Sequence, residues 1–476
     1  MDMYVGGRWQ GSSEWLDVVS PYSGEVIDRV PVATPKQIEE ALATAERGAV
    51  VMRGLGGAAR ADILRRAADL LDADVERIAR TISLEVGKPI AEATGEASRL
   101  GEMFRLASFE GTQIRGETLP LDAQAGAAGK LGFTLRIPTG VVVAITPFNY
   151  PGLLVVHKIA PALAAGNAVI LKPASQAPLT ALIITEKLIE AGLPGVGLQT
   201  ITGGGRAVGM ALVRDARVRK VSFTGSTAVG EEITRVAGVK RLSLELGANC
   251  PMIVMPDADL ELAAEASATG GYVNAGQVCI SLQRVIVHED IYEDYLEALR
   301  EPVAGFRMGD PLAADTKIGA MISETEAARV ARWVDEAVAS GARVVIGGQR
   351  DGAKLFPTVV ADVTPGMKLS QQEVFGPTLS VIRAAGIDQA IALANDSNYG
   401  LGAGIFTKNV TDALRFAREV EAGSIHINWT PLWRADLMPY GGLKGSGIGK
   451  EGIRYAVEEM TELKTVVIHG LEGEPS

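Results

Sequence analysis

The chain has 476 residues, 47% of them hydrophobic, which is enough to bury the cores of two or three domains without disulfides or metals. Its only cysteines, Cys250 and Cys279, cannot form a disulfide framework, and no Cys/His cluster has metal-ligand spacing, so we predict no metal and a reducing, cytoplasmic setting. The formal charge of −11 argues against a nucleic-acid partner, and the sequence shows no export signal or membrane anchor.

The N-terminal region predicts hairpins followed by helices. Short β-prone pieces are separated by turn residues such as Gly6-Gly7 and Pro21–Gly24. A capping box with Pro at the first helical position starts a helix at Thr34–Gln37. Apolar residues at helical spacing then run from Ile63 to Ile78, and a Gly-then-Pro exit ends this stretch near Gly87–Pro89.

The middle of the chain has the pattern of a doubly wound α/β domain. Buried runs at 141–146, 168–172 and 219–225 alternate with helical segments such as Leu179–Ala191, as in parallel sheets with crossover helices. A second alternation runs from Asn249 to about Gly449. We assign 1–118 and 138–246 to a Rossmann-like α/β domain, and 247–455 to a second α/β domain.

Two β-prone segments stand outside both alternations. Gly116–Pro138 follows the helices, and Glu462–His469 is an isolated strand near the C-terminus. We therefore predict a small β arm, 119–137 and 456–476, that pairs with another subunit in a homodimer or homotetramer.

Cys279 is the strongest local candidate for chemistry. It follows Asn274–Val278 and precedes a strand, so it lies on a turn where a thiolate is accessible to an incoming carbonyl. The alternative is a buried, inert cysteine, and Cys250, next to an apolar strand, fits that description.

Two further motifs have a chemical and a structural reading. Glu245 is a lone carboxylate between leucines, where an apolar setting raises a carboxyl pKa toward that of a general base, although it could also surface at a strand end. The run from Val218 through Gly225 and Ser226 is a strand, a turn and a helix start, which suits a pyrophosphate, but glycine is common in such turns.

Taken together, these motifs resemble the aldehyde dehydrogenase family. The matching blocks follow the family's order over most of the chain: EVGKP (85–89), TPFNYP (146–151), PALAAGNAVILKP (161–173), FTGST (223–227), LELG (244–247), GQVC (276–279), EVFGP (373–377) and PYGGLKGSGIGKEG (439–452).

The resemblance implies an NAD(P)+-dependent oxidation of an aldehyde to an acid through a cysteine thiohemiacetal and thioester. Cys279 matches the nucleophile, Asn149 the oxyanion donor and Glu245 the base that activates water. The first domain would bind NAD or NADP and the second would be catalytic. The implied cofactor contacts are Ile145, Thr146, Pro147, Lys172, Ser175, Gly205, Arg206, Gly225, Ser226, Leu246, Glu373 and Phe375.

The prediction of cofactor preference rests on residues that depart from the family's pattern. Ser175 stands where many NAD-preferring members have Glu, so repulsion of a 2′-phosphate is absent, and Arg206 is a candidate cation for that phosphate or a solvated loop residue.

Details of the motifs look closest to lactaldehyde and phosphonoacetaldehyde dehydrogenases. Arg105, His157 and Arg434 would then form a cationic tunnel for a short hydroxylated or anionic aldehyde, or serve structural roles. Val278 stands where phosphonate-oxidising members have Arg. The absence of that cation argues against a doubly charged substrate.

Two alternatives remain. In a CoA-acylating member, CoA rather than water would take the acyl group, and Glu245 argues against this. A non-catalytic protein built on the same fold is the other, because fold does not fix function.

Overall fold

The computed structural model describes residues 1–470, and the predicted elements of the N-terminal region are present with one change. Thr34 caps the first long helix through a capping box with Gln37, and Gly87 ends the third helix in a left-handed conformation. The stretch from Ile63 to Ile78 is two helices rather than one, because Ala73 and Asp74 interrupt the helix. The elements up to residue 138 are β1 (Met3–Val5), β2 (Arg8–Gln10), β3 (Glu14–Val19), β4 (Val26–Val32), α1 (Pro35–Gly54), α2 (Gly57–Asp72), α3 (Val75–Val86), α4 (Ile90–Thr112), β5 (Thr118–Leu119) and β6 (Leu131–Pro138).

The predicted doubly wound domain follows. Its elements are β7 (Val141–Ile145), α5 (Leu153–Ala164), β8 (Ala168–Lys172), α6 (Leu179–Glu190), β9 (Leu198–Thr200), α7 (Met210–Arg214), β10 (Val218–Thr224), α8 (Thr227–Val236) and β11 (Arg241–Glu245). The parallel strands lie in the order β9-β8-β7-β10-β11, so the winding direction reverses between β7 and β10. Ligands of open α/β sheets bind at such a reversal, outside the carboxyl ends of the strands.

Both faces of this sheet are covered, which explains the continuous apolar strands. Along β7, Val142 and Ala144 pack into the core under α2–α6, while Val141 and Val143 pack against α1, α7 and α8.

The remaining elements follow in chain order, and most of them form the second α/β unit. They are β12 (Cys250–Val254), α9 (Leu260–Tyr272), β13 (Leu282–His288), α10 (Tyr292–Ala298), α11 (Arg300–Ala304), α12 (Glu324–Ala339), β14 (Arg343–Ile346), β15 (Arg350–Asp351), β16 (Lys354–Leu355), β17 (Thr358–Ala361), α13 (Lys368–Gln371), β18 (Thr378–Ala384), α14 (Ile387–Asn395), β19 (Tyr399–Gly400), β20 (Gly402–Phe406), α15 (Val410–Glu419), β21 (Ser424–Ile427), β22 (Leu443–Lys444), β23 (Gly447–Ile448), α16 (Ile453–Glu459) and β24 (Thr461–Ile468). Its sheet has the order β14-β17-β18-β13-β12-β20-β21.

Two elements near the end of this range belong with the first domain. β23 extends the first sheet by pairing antiparallel with β11, and α16 packs against α4 and α5. β23 lies before the predicted boundary at residue 455 and α16 spans it, yet both associate with the first domain. The segment 440–460 therefore joins the two units.

The arm is organised differently from the prediction. β24 is not isolated: it pairs antiparallel with β6 over its whole length, from Thr461↔Pro138 to Ile468↔Leu131, and β5 completes a three-stranded sheet. The two β-prone segments are therefore each other's partners within one chain. Residues 471–476 of the predicted arm lie outside the described residues.

Across residues 1–470, no helix is both long and apolar enough to cross a membrane.

Candidate active site

Three neighbouring spaces share lining residues, and two of them include Cys279. The inner cavity has a volume of about 340 Å³ and is lined by Arg99, Tyr150, Leu153, Leu154, His157, Thr269, Val278, Cys279, Ile280, Trp429, Thr430, Leu432, Trp433, Arg434 and Tyr440. The junction cavity, about 460 Å³, is lined by Pro147, Phe148, Asn149, Leu154, Thr224–Ala228, Leu246, Cys279, Glu326, Arg329, Trp333, Gln372, Glu373, Phe375 and Tyr399. The outer groove, about 830 Å³, continues from it along 145–148, 174, 176, 205–206, 209–210, 223–226, 228–229, 232–233 and 235. Cys279 and Leu154 line both the inner and the junction cavity, so the sulfur lies where the two meet.

A strained turn presents Cys279. Asn274 and Ala275 both adopt left-handed backbone conformations, with φ of 51° and 54°. A non-glycine residue there costs roughly 1–2 kcal/mol, so the surroundings must hold the turn. Glu92, on α4, accepts a hydrogen bond from the Asn274 N–H at 2.9 Å. The turn that carries the nucleophile is therefore fixed from the other domain.

Asn149 is tied to the same turn. Its Nδ2 donates to the carbonyl oxygen of Gln277 at 2.8 Å, and its backbone oxygen accepts from Asn274 Nδ2 at 3.1 Å. Because the side-chain amide carries two N–H donors, one is left for an oxygen in the junction cavity. Within residues 1–470, Asn149 Oδ1 is buried without a hydrogen-bond partner. The remaining N–H is the donor that the predicted oxyanion role of Asn149 requires.

The two cysteines differ as the sequence predicts. Cys250 is buried, and burial raises its thiol pKa to about 12. Cys279 is partly accessible, and its Sγ lies 2.8 Å from the Tyr440 hydroxyl. Burial raises the pKa of Cys279 to about 11, while the Tyr440 hydroxyl and Arg434 act in the opposite direction. Cys279 is thus the accessible thiol, and its ionisation depends on its neighbours.

Glu245 ends β11 inside the protein. Its side chain is buried, and Oε2 has no hydrogen-bond partner in the described part of the chain. A Cβ on Gly441 would lie 3.0 Å from Glu245 Oε1, so a glycine is needed for this close approach. Burial, followed by the negative charge of Glu451, raises the pKa of Glu245 well above its usual range. A carboxyl group in this state suits proton transfer near neutral pH.

A network of buried charged side chains lies next to Glu245. Lys158 Nζ and Arg434 Nη2 lie 2.8 Å and 3.5 Å from the carboxylate of Glu451. Burial raises the pKa of Glu451, but Lys158 and Arg434 outweigh that effect and bring it to about 2. Glu451 is therefore ionised, whereas its neighbour Glu245 favours the protonated form.

The inner cavity contains two of the three predicted substrate residues. Arg434 Nη2 lies 3.3 Å from His157 Nδ1, and Arg434 Nε is buried without a partner among residues 1–470. Burial and then Arg434 lower the pKa of His157 well below its usual range, so His157 is neutral and accepts from Arg434. His157 contributes polarity to the cavity but no charge.

The prediction for Arg105 is wrong. Its side chain is on the surface, where Nη2 lies 2.7 Å from both Asp69 and Asp72. Arg99, six residues earlier on α4, lines the inner cavity instead and is 2.7 Å from Asp436.

The outer groove and the junction cavity bring together ten of the twelve predicted cofactor residues, all except Lys172 and Ser175. Ser226 begins α8 without capping it through its side chain, unlike Thr34, Ser323 and Asn409 at other helix starts. The first N–H groups of α8 are thus open to an anion, as a pyrophosphate requires. The groove therefore fits a dinucleotide.

At the end of the groove expected to hold adenosine, the predicted contact residues differ in burial. Lys172 is buried at the end of β8, where burial lowers its pKa to about 8, and Gly205 passes close to its Nζ. Ser175 lies between the groove residues Ala174 and Gln176, but its hydroxyl donates to the carbonyl of Gly203 at 2.9 Å. Arg206 is 87% exposed on the groove wall and lies 3.7 Å from Glu232. Arg206 is therefore free enough to turn toward a phosphate.

At the other end, Glu373 and Phe375 approach the junction cavity. Glu373 accepts a hydrogen bond from the Ala248 N–H at 3.0 Å, and burial raises its pKa to about 7. The Phe375 ring packs edge-on against Phe148, with centroids 6.0 Å apart.

Sequence reasoning missed Arg99, Tyr440 and Glu451. Tyr440 and Glu451 stand in the block 439–452 that was recognised as a whole, so a closer look at its polar side chains would have found them. Arg99 carried no motif signal. Among the described residues, no group of three or more His, Cys, Asp or Glu side chains is placed to hold a metal ion.

Comparison with known proteins identifies the family. The model of the aldehyde dehydrogenase family matches residues 9–466. A 3-sulfolactaldehyde dehydrogenase of Priestia aryabhattai is 43% identical over 98% of both chains. A lactaldehyde dehydrogenase of Methanococcus vannielii is 40% identical over 98% of this chain and 100% of its own.

A solved structure agrees. Glyceraldehyde-3-phosphate dehydrogenase from Methanocaldococcus jannaschii, complexed with NADP, is 38% identical with a TM-score of 0.92, covering 96% of this chain and 99% of its own. The fold class and the resemblance to the lactaldehyde branch are confirmed. The chain belongs to the aldehyde dehydrogenase family and is an NAD(P)-dependent aldehyde oxidoreductase.

Proposed function

We propose that this enzyme oxidises a short, hydroxylated or anionic aldehyde to the carboxylic acid through a thioester on Cys279. The observation that carries the proposal is the position of Cys279 Sγ between the inner cavity and the junction cavity. A nucleophile there reaches an aldehyde held on one side while the nicotinamide end of the cofactor occupies the other.

In the first step the Cys279 thiolate attacks the carbonyl carbon, and the carbonyl oxygen becomes an alkoxide. The second N–H of the Asn149 amide and the backbone N–H of Cys279 would stabilise this charge, a contribution worth about 10²–10³ in rate per donor. The bound dinucleotide supplies the oxidant that accepts a hydride. What remains on the protein is a thioester of Cys279.

Glu245 would complete the reaction. Its ionised carboxylate takes a proton from water, the hydroxide attacks the thioester, and the acid leaves as the Cys279 thiolate is restored. The unpartnered Oε2 supports this role. It also favours hydrolysis over the CoA-acylating alternative, since transfer to CoA needs no water-activating base.

The charges around the inner cavity favour a negative charge on the substrate. The cations Arg99 and Arg434 line the inner cavity, whereas their carboxylate partners Asp436 and Glu451 do not. The sulfonate or carboxylate of an aldehyde substrate would pair with these guanidinium groups. The relative that is named for 3-sulfolactaldehyde supports the same substrate class.

NADP+ would be accepted as well as NAD+. Position 175 holds a neutral serine beside the groove, and Arg206 is exposed on its wall. No carboxylate at 175 repels a 2′-phosphate, and Arg206 could pair with one.

The arm would contribute to a homodimer or homotetramer. Its strands β6 and β24 expose the apolar side chains of Leu131, Leu135, Leu463 and Val467. An exposed apolar sheet of this kind is typical of a surface that a second subunit covers.

A panel of aldehydes with matched cysteine variants tests the reaction. 3-Sulfolactaldehyde, lactaldehyde and propionaldehyde would be assayed with NADP+ and NAD+, with and without CoA. We expect acid formation without CoA and the highest kcat/KM for the sulfonated aldehyde.

Cys279→Ala should abolish oxidation while dinucleotide binding persists, and Cys250→Ala is the matched control that should retain activity. Turnover by Cys279→Ala would refute the mechanism. A strict requirement for CoA would replace hydrolysis with acyl transfer.

A further inference from the structure

The hydroxyl of Tyr440 makes the closest polar contact to the Cys279 sulfur. The two atoms are 2.8 Å apart, although the residues are separated by 161 positions in the chain. Tyr440 is buried, and backbone hydrogen bonds to Glu451 in both directions fix its position. The guanidinium of Arg434 stacks over its ring at 3.8 Å from the centroid. The hydroxyl is thus held toward the sulfur by the backbone and by the stack.

The direction of this hydrogen bond follows from the chemistry of the two groups. Burial raises the phenol pKa of Tyr440 well above its usual range, so the hydroxyl keeps its proton. In the described part of the chain, Cys279 Sγ is the only hydrogen-bond partner of that hydroxyl. When the sulfur is ionised, Tyr440 must therefore donate and the sulfur accept, because a thiolate has no proton to give. A thiolate accepts much more strongly than a thiol, so this bond favours the ionised sulfur.

Other groups around the sulfur act mostly against ionisation. Burial has the largest effect, and the carboxyl groups of Glu245 and Glu373 also raise the thiol pKa. The guanidinium of Arg434 lowers it. Tyr150 and Cys250 also lie close to Cys279, but burial raises the pKa of each, so both stay neutral. Tyr440 and Arg434 are consequently the groups that stabilise a thiolate.

We propose that Tyr440 is a catalytic residue, which donates a hydrogen bond to the Cys279 thiolate and so increases the fraction of sulfur that is ready to attack. The inference rests on the proposed role of Cys279 as nucleophile. As the C–S bond forms, a sulfur electron pair enters that bond and the sulfur becomes a poor acceptor. The hydroxyl is then released with its proton, so Tyr440 neither gains nor loses a proton in the step.

Alkylation of Cys279 by iodoacetamide tests the proposal without requiring turnover. The rate would be followed by mass spectrometry from neutral to alkaline pH in full-length wild type, Tyr440→Phe and Tyr455→Phe. One hydrogen bond to a charged group is worth about tenfold in ionisation, and the greater nucleophilicity of a more basic thiolate offsets about half of that on a logarithmic scale. We expect Tyr440→Phe to react about threefold more slowly at neutral pH, with its pH profile displaced to higher pH.

Tyr455→Phe is the matched control, because it removes the hydroxyl of a half-buried tyrosine on α16 that lines neither the inner cavity, the junction cavity nor the outer groove. Its profile should follow the wild type. Superimposed profiles for Tyr440→Phe and wild type would overturn the proposal, as would faster alkylation of Tyr440→Phe, which would make the hydroxyl a shield. Oxidation by Cys279→Ala would instead overturn the proposed function, so the two failures are distinguishable.

Discussion

The outer groove and the inner cavity lie on opposite sides of Cys279 and are built in different ways. The groove is formed by short continuous segments that follow β7 and β10, with backbone groups and small side chains such as Gly225 and Ser226. The inner cavity is assembled from α4, α5 and the loops around 430 and 440, which meet only in the folded chain.

Their electrostatics differ as well. Charged side chains of the cavity are held in ion pairs, Arg99 with Asp436 and Arg434 with Glu451, whereas Arg206 on the groove wall is almost fully exposed. The groove is thus suited to a ligand common to a large family, and the cavity to one particular substrate. Changes in the cavity should affect the choice of aldehyde, and changes in the groove the choice of cofactor.

The largest effect is expected where the two sides meet, at Glu245. Glu245→Gln should lower steady turnover by about 10²–10⁴, because water is no longer activated. Hydride leaves before water is needed, so a pre-steady-state burst of reduced cofactor should remain. Stopped-flow absorbance measures both phases. Loss of the burst would move the main role of Glu245 from deacylation to activation of the thiol.

The same residue gives a pH dependence with a defined sign. Burial raises the pKa of Glu245, so at neutral pH the resting carboxyl favours the protonated form, which cannot act as a base. Wild-type kcat should therefore increase as pH rises through the neutral range. A flat kcat over that range would indicate that deacylation does not limit turnover or that another base serves it.

The next largest effect is expected inside the cavity, at Arg434. Arg434→Gln should raise the KM for a sulfonated aldehyde by about 10–100-fold, the value of a hydrogen bond to a charged group, whereas propionaldehyde should suffer only from the weaker stabilisation of the Cys279 thiolate. Arg99→Gln should act in the same direction but more weakly, because Arg99 is 40% exposed. Arg105→Gln is the control outside the cavity. Equal losses for charged and neutral aldehydes would limit Arg434 to its effects on the thiolate and on the fold.

The difference between the groove and the cavity also explains which parts of the site could be predicted from the sequence. Ile145–Pro147 and Gly225–Ser226 each follow a recognisable buried strand, and parallel strands bring such turns to one edge of the sheet, so the groove could be predicted. The capping box at Thr34 and the exit at Gly87 are equally local.

The cavity depends on which way side chains face, which local patterns do not define. Arg99 and Arg105 lie on one helix, about 120° apart around its axis, and only the packing of α2 against α4 decides which of them meets Asp69 and Asp72. The contact between Tyr440 and Cys279, like the pairing of β24 with β6, joins distant segments, and nothing in either segment alone indicates its partner.

The smallest effect is expected in the open groove, at Ser175. Ser175→Glu should shift preference toward NAD+ by about tenfold, because a carboxylate there accepts a bond from the ribose 2′-hydroxyl and repels a 2′-phosphate. A repulsion of only about 1 kcal/mol is expected where water and salt screen the charges.

The substitution also removes a hydrogen bond, since the Ser175 hydroxyl donates to the carbonyl of Gly203 at 2.9 Å and a carboxylate cannot. Ser175→Ala loses the same bond without adding a charge, and it is therefore the matched control. The ratio of kcat/KM for NADP+ to that for NAD+ should fall in Ser175→Glu and stay near the wild-type value in Ser175→Ala. An equal fall in both variants would mean that the position of the Gly203 loop, and with it Arg206, determines the preference. A wild-type enzyme unable to use NADP+ would show that a neutral residue at 175 is not sufficient to admit the 2′-phosphate.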